Sequence, residues 1–209
     1  MIHLSEYQIY DVLDLNVIEY NFIQELEIIK KLTEYGEVLE GYKVDYSDAI
    51  NSCNSSQYNE QNYRIQHWFR NSLLISTISL FETTMNYLCN WLNIRSEVRF
   101  KSKKKENISE IKIIENYLNK ILCSEQTLKD VFDPVVKYKL VRNVIVHNSG
   151  QLNIKMQKRI GKIEGLTLYE RDGFLSIDSS IFLTQLYFQI EICLKTVFKL
   201  INSHFSKTH

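Results

Sequence analysis

The chain has 209 residues, with 25 basic and 25 acidic side chains, one proline and six glycines. That length suits one large domain or two small ones and buries a core without disulfide staples, and 44% apolar with 12% aromatic residues is too rich for a disordered chain. So little Gly and Pro argues against an all-β sandwich or a Gly-rich phosphate loop, and zero net charge removes the simplest electrostatic case for nucleic-acid binding.

The opening MIHLSEYQIYDVLDL carries acids at Glu6, Asp11 and Asp14, where a secretion leader has a basic end and an apolar stretch. From about Tyr7 to Tyr35, Val12, Leu15, Val17, Ile18, Phe22, Leu26, Ile29 and Leu32 recur at three- and four-residue steps, which predicts a first long helix with Gly36 as its stop. Residues 36–57 are polar and turn-rich and read as a connecting loop. A second long helix is expected from about Asn59 to Leu92. Ser72, Ser76, Ser79, Thr83 and Asn86 run along one side of it, where small residues let a neighbouring helix approach. Glu82 stands beside that stripe in apolar surroundings, where a carboxylate must be paired, hydrogen-bonded or solvated.

The basic run KSKKKEN (101–107) reads as a solvated turn. ISEIKIIENYLNKIL follows as a short amphipathic helix with Ile111, Ile113, Ile114, Tyr117, Leu118, Ile121 and Leu122 inward, and Asn107 or Ser124 as caps of neighbouring helix starts. Asp133 before Pro134 is a helix start signal, and Asn148-Ser149-Gly150 a stop, so a helix is predicted between them. After a helical or irregular stretch at 151–163, two β-prone runs flank Arg171-Asp172-Gly173 and predict a hairpin over 166–178. The last helix, about Ser179 to Ser203, is strongly apolar, with Ile181, Phe182, Leu186, Ile190, Leu194, Val197, Phe198 and Ile201 inward. No stretch is read as reaching the ~20 apolar residues of a membrane span.

The four cysteines (Cys53, Cys89, Cys123, Cys193) form no C-x-x-C pair, which predicts reduced thiols, a cytoplasmic setting and no zinc site. Cys89, Cys123 and Cys193 lie in apolar stretches and are expected to fill the core.

The chemistry concentrates on the helix after Pro134. On a helical wheel, Tyr138, Leu140, Val141, Val144 and Ile145 form its core face. Lys139, Arg142, Asn143 and His147 occupy the other sector together with Val135, Val136 and Val146, and this valine frame predicts that another surface covers the polar group. Asn143 and His147 are four apart and lie one above the other. Histidine accepts or donates a proton near neutral pH, arginine holds phosphate and stabilises developing negative charge, and asparagine orients either partner. That set suits attack of an RNA 2′-hydroxyl on its own phosphodiester without a metal.

The string Arg142-Asn143-Val144-Ile145-Val146-His147 resembles the R-x(4–6)-H signature of HEPN-domain proteins, in the R-N-x-x-x-H form of their ribonucleases. Asn148-Ser149-Gly150 is similar to the H-N-x-G ending of HEPN groups related to the RiboL-PSP-HEPN type. The resemblance is close over the motif helix and looser from about Asn59 to Ser203. It implies one all-α HEPN-like bundle, read as a single domain over 1–209 with a 59–203 core; the 7–35 helix, not specifically matched, is expected to pack on that core, and the short hairpin before the last helix departs from the family as an insertion that a minimal bundle lacks. It further implies a homodimer with the motif helices facing each other, no cofactor and no membrane. The implied activity is metal-independent endoribonuclease action in toxin–antitoxin, phage-defence or RNA-processing roles, with an RNA substrate and an antitoxin or defence-system partner. Carried over by position, Arg142 and His147 are catalytic with Asn143 beside them, and Glu82, Lys139 and Asn148 support them. Ser149 stands where nucleotidyltransferase-paired toxins carry a tyrosine, so that subtype is disfavoured.

Blander readings compete. His147 also suits a histidine bonding the last helical carbonyls, and Arg142 a structural ion pair, for instance with Glu82. The alternative to a nuclease is a non-catalytic helical module that binds RNA, a nucleotide or a protein. His3, His204 and His209 are terminal or nearly so, and His67, beside Trp68 and Phe69, reads as a packing or surface residue. No G-x-S-x-G elbow, Cys–His signature or Walker loop is present.

Overall fold

The computed structural model describes residues 14–41, 53–100, 109–169 and 173–206, excepting the side chains of 37–41, 53–63, 154, 155 and 169. They form six helices and one hairpin: α1 (Leu15–Gly41), α2 (Cys53–Arg95), α3 (Glu110–Leu122), α4 (Glu125–Asn148), α5 (Ile154–Ile160), β1 (Leu166–Tyr169), β2 (Phe174–Ile177) and α6 (Ser180–Phe205). The chain is thus mostly helical, with an antiparallel hairpin before the last helix, as the sequence predicts.

Several boundaries move, each for a local reason. Helix α1 begins at Leu15 rather than near Tyr7, because Asp14 caps it: Asp14 Oδ1 accepts from Asn16 N at 3.1 Å. Residues 1–13, with Val12, lie outside the described residues. Gly36 does not stop the helix. A Cβ there would come within 2.5 Å of Phe69 Cε1, so the glycine serves close packing, and α1 continues to Gly41. Much of the predicted 36–57 loop is consequently helical at its two ends, since α2 already begins at Cys53. Burial on α1 falls on Leu15, Ile18, Phe22, Leu26, Ile29 and Thr33, while Val17 and Leu32 are exposed.

Helix α3 is capped by Ser109, whose side chain accepts from Lys112 N, and Asn107 and the 101–107 turn lie outside the described residues. The α3 face is buried as predicted except for Ile113, which is only half-buried. The unexpected residue there is Glu115, 5% exposed, whose Oε1 pairs with Lys112 Nζ at 2.5 Å. Ser124 precedes α4 and its carbonyl accepts from Leu128 N at 2.9 Å, while its hydroxyl donates to the Leu122 carbonyl. Pro134 lies inside α4, not at its start. Leu128, Phe132 and Val135, fully buried at helical spacing, carry one core face through the proline. That burial opposes the roughly 3 kcal/mol that an interior proline costs through its missing donor and ring clash.

Helix α6 buries Phe182, Leu186, Ile190, Leu194, Val197, Phe198 and Ile201, but Ile181 is exposed. By length and composition α6 is long and apolar enough to cross a membrane, contrary to expectation, and half of its apolar window is buried. Cys89 and Cys193 are buried as predicted, and burial pushes both thiols up, with the Glu115 charge adding to the effect on Cys193. Cys123 is exposed because it ends α3 in the left-handed conformation, φ 50°. The side chain of Cys53 is not among those described.

The chain divides into two compact units. The first comprises 1–26, 79–137 and 188–209. Within it Phe81 meets Phe132 edge-on at 6.2 Å, Trp91 meets Phe205 at 5.6 Å, and Asn86 Nδ2 donates to Glu110 Oε1 at 3.1 Å. Tyr117 lies against Phe100, its hydroxyl 3.2 Å from Asn93 Oδ1, and burial raises its pKa to about 12. The second comprises 27–78 and 138–187. It contains the hairpin, the Tyr138–Phe182 ring pair at 5.1 Å, and a buried Thr33–Tyr187 hydroxyl pair at 2.6 Å. The hairpin pairs Leu166 with Ile177 through Tyr169 with Phe174, as predicted over 166–178, and Arg171 and Asp172 lie outside the described residues.

Candidate functional site

The last two and a half turns of α4 carry Lys139, Arg142, Asn143 and His147 within the second unit. Lys139, Asn143 and His147 follow one another at four-residue steps, so they form one row along the helix. Lys139 is 9% exposed, Asn143 half-buried and His147 exposed, so the row rises from the interior to solvent. Arg142 is half-buried beside it. Its Nη1 donates to Asn143 Oδ1 at 3.0 Å, and its buried Nε has no hydrogen-bond partner among the described residues. A guanidinium held by a neutral amide keeps its full positive charge for another partner, and a buried N–H without an acceptor is costly until one arrives.

The helical wheel misplaces part of this sector. Lys139 and Val135 belong to the buried side of α4 rather than to an outward polar sector, whereas Val146 is 44% exposed and uncovered in the single chain. The buried face is rotated from the one the wheel draws: Leu140 and Ile145, assigned to the core, are only half-buried. Asn148, exposed, ends the helix, and its carbonyl accepts from Gln151 N at 2.9 Å. Glu82 is half-buried in the first unit. The stripe beside it is open in the single chain, with Ser72, Ser76 and Thr83 exposed. Among the described residues, no three His, Cys, Asp or Glu side chains cluster to hold a metal ion.

The Asn148-Ser149-Gly150 ending has a structural reason. Ser149 takes φ 50° and Gly150 φ 86°, and the Gly150 N–H closes back on the Val144 carbonyl at 3.1 Å. The Gly150 carbonyl then accepts from Leu175 N at 2.9 Å, Leu152 N donates to the Gly173 carbonyl at 2.8 Å, and Gln151 bridges to Phe174. The chain just past His147 is thereby paired along β2.

On α2, a polar group that the sequence does not single out gathers around His67. Nδ1 lies 3.3 Å from Ser176 Oγ and Nε2 lies 3.0 Å from Asn71 Nδ2. Burial lowers the His67 pKa below its usual 6.5, the Asp178 charge opposes that and the Arg70 charge adds to it. The trio Ser176, His67 and Asp178 has the residue types of a hydrolase triad, but Ser176 is 1% exposed and Asp178 Oδ1 makes no hydrogen bond among the described residues. A nucleophile closed off from substrate does not fit that chemistry. The available signal is the spacing of His67, Arg70 and Asn71 at one helical face, and the partner strand lies 109 residues on.

A cleft of about 650 Å³ opens beside the hairpin, between α5, the 161–165 loop and β1, with Leu152, Ile160, Leu168 and Leu175 among its apolar walls and Gln157, Lys162 and Glu164 among its polar ones. When the chain is compared with known proteins, no family model, no curated protein and no solved structure matches it.

Proposed function

We propose that this chain is a HEPN-type endoribonuclease that cleaves RNA without a metal and acts as a homodimer in a toxin, phage-defence or stress role. The observation that carries the reading is the row on α4: Arg142 held by Asn143, with an uncommitted buried N–H, and His147 exposed one turn above Asn143. In the proposed reaction His147 takes the proton of a ribose 2′-hydroxyl, whose oxygen bonds to the adjacent phosphorus. Arg142 stabilises the charge on the phosphorane oxygens. The bond to the 5′-oxygen breaks, and that oxygen takes the proton held by His147, leaving a 2′,3′-cyclic phosphate and a 5′-hydroxyl. Exposed Val146 beside His147 supports a second copy as the covering surface, since two such arginines across a twofold axis build a positive cleft that one subunit lacks.

Incubation of the purified chain with labelled RNA in EDTA tests this. Cleavage leaving 2′,3′-cyclic phosphate ends is expected, and His147→Ala is expected to lower its rate by about 10²–10⁴-fold. Equal rates in wild type and His147→Ala would remove the site assignment. The cleft beside the hairpin favours a second reading, a non-catalytic binding module. It gains if folded Arg142→Ala and His147→Ala variants leave RNA integrity in expressing cells unchanged.

A further inference from the structure

His67, Arg70 and Asn71 share one face of α2, and in the second unit that face meets one side of β2. His67 Nδ1 is 3.3 Å from Ser176 Oγ, Arg70 Nη1 donates to the Ile177 carbonyl at 3.3 Å, and the Phe174 ring lies 6.2 Å from the imidazole. The same strand holds the end of α4. Leu175 N donates to the Gly150 carbonyl, and a Cβ on Gly150 would come within 2.8 Å of Phe174 Cε2. Phe174 is thus packed on Gly150, three residues past His147, and is also the aromatic neighbour of His67.

Asn71 Nδ2 faces Nε2 at 3.0 Å and Ser176 Oγ, able to donate or accept, faces Nδ1 at 3.3 Å; a neutral ring with its proton on Nδ1 satisfies both contacts. A proton added to Nε2 faces it with a second donor, and the Asn71 amide must turn over. Its Oδ1, buried and without a hydrogen-bond partner among the described residues, is the acceptor then presented. Among the described residues, Arg70 on its own helix disfavours the proton and Asp178 just beyond β2 favours it.

We propose that His67 is a positioning residue for the Arg142–His147 site, holding the end of α4 through Ser176, Phe174 and Gly150, and that protonation of His67 loosens this hold. The effect on RNA cleavage rests on the nuclease reading; the coupling of His67 to Gly150 does not. In the neutral state β2 is pinned from α2 and in turn pins the turn after His147. In the protonated state the Asn71 flip and the new charge disturb the Ser176 contact, and the catalytic end of α4 gains freedom that costs rate.

The test is a titration of the full chain by NMR, following the histidine rings and the Gly150 and Leu175 amides between about pH 5 and pH 8. Both amides are expected to move with the His67 titration. His67→Gln is expected to remove that component, and Ser176→Ala to weaken it. In EDTA-resistant cleavage, His67→Ala is expected to lower kcat about tenfold with little change in KM, and His67→Gln to restore part of it. The acidic limb of the rate profile should be less steep in His67→Gln than in wild type. Amides that do not follow the His67 titration, or that titrate alike in wild type and His67→Gln, overturn the proposal. Should the His67 variants fail to fold, Ser176→Ala decides the matter in the same way, since amides that titrate as in wild type overturn the coupling. Amides that follow His67 in a chain without His147-dependent cleavage sustain the coupling and remove the nuclease reading.

Discussion

His67 ties stability to pH. Its pKa is lowered in the folded chain, chiefly by burial, so the unfolded chain binds the proton more readily. The stabilising contribution is therefore complete above the unfolded value near 6.5 and is lost as pH falls through the lower folded value. Urea midpoints should decline as pH falls from about 6.5 toward the folded value, and the decline should be shallower in His67→Gln. Gly150 is the other sensitive residue near the site. With φ 86° and Phe174 Cε2 within 2.8 Å of an added Cβ, Gly150→Ala is expected to cost about 1–3 kcal/mol in denaturant unfolding. Arg142→Lys keeps the charge but loses the planar fork that bonds Asn143 and, in the proposed reaction, would hold the phosphate. Cleavage should fall in Arg142→Lys nearly as far as in Arg142→Ala, and full activity in the lysine variant would contradict the proposed role of the guanidinium.

At the scale of the element, α4 is a helix kept intact against its own sequence. Pro134 removes a backbone donor in its interior, yet Leu128, Phe132 and Val135 are buried on one continuous face. Pro134→Ala should return that bond without disturbing the face and raise stability by about 1–3 kcal/mol, read as a higher urea midpoint. A lower midpoint would mean that the helix needs the proline. Helix α3 shows the converse, a strongly amphipathic helix that buries an acid. Lys112, itself partly exposed, pairs with Glu115 Oε1, and Glu115 Oε2 has no hydrogen-bond partner among the described residues. Lys112→Ala removes the pairing charge and is expected to destabilise, whereas the joint change to Met at 112 and Leu at 115 should be neutral or stabilising. The hairpin is short, but its backbone bonds reach Gly150 and Leu152, so it works as part of the motif helix's ending rather than as a free insertion.

For the whole molecule, the proposal of a dimer makes a prediction of its own. Val146 is 44% exposed next to His147, and a charge there should break an isologous contact across the motif helices. Light scattering is expected to give dimers for wild type and folded monomers for Val146→Asp, with cleavage lost in the latter. A monomeric wild type with full EDTA-resistant activity would defeat the two-subunit site.

The sequence by itself determined the helical class, the hairpin and the α4 row, because helical periodicity, turn residues and the spacing of Asn143 and His147 are all local. It marked Gly150 as a stop, though not why a side chain is excluded there. Tertiary packing decided the rest. Gly36 and Pro134 read as punctuation in isolation, but contact with Phe69 and the buried face of α4 carry both helices past them. Lys139 and Val135 are buried although the helical wheel sets them in the polar sector. His67 reads as a packing residue in the sequence because its partner Ser176 is 109 positions away and brought to it only by the hairpin. A local pattern records which residues share a face of one element, and only the folded chain records what that face meets.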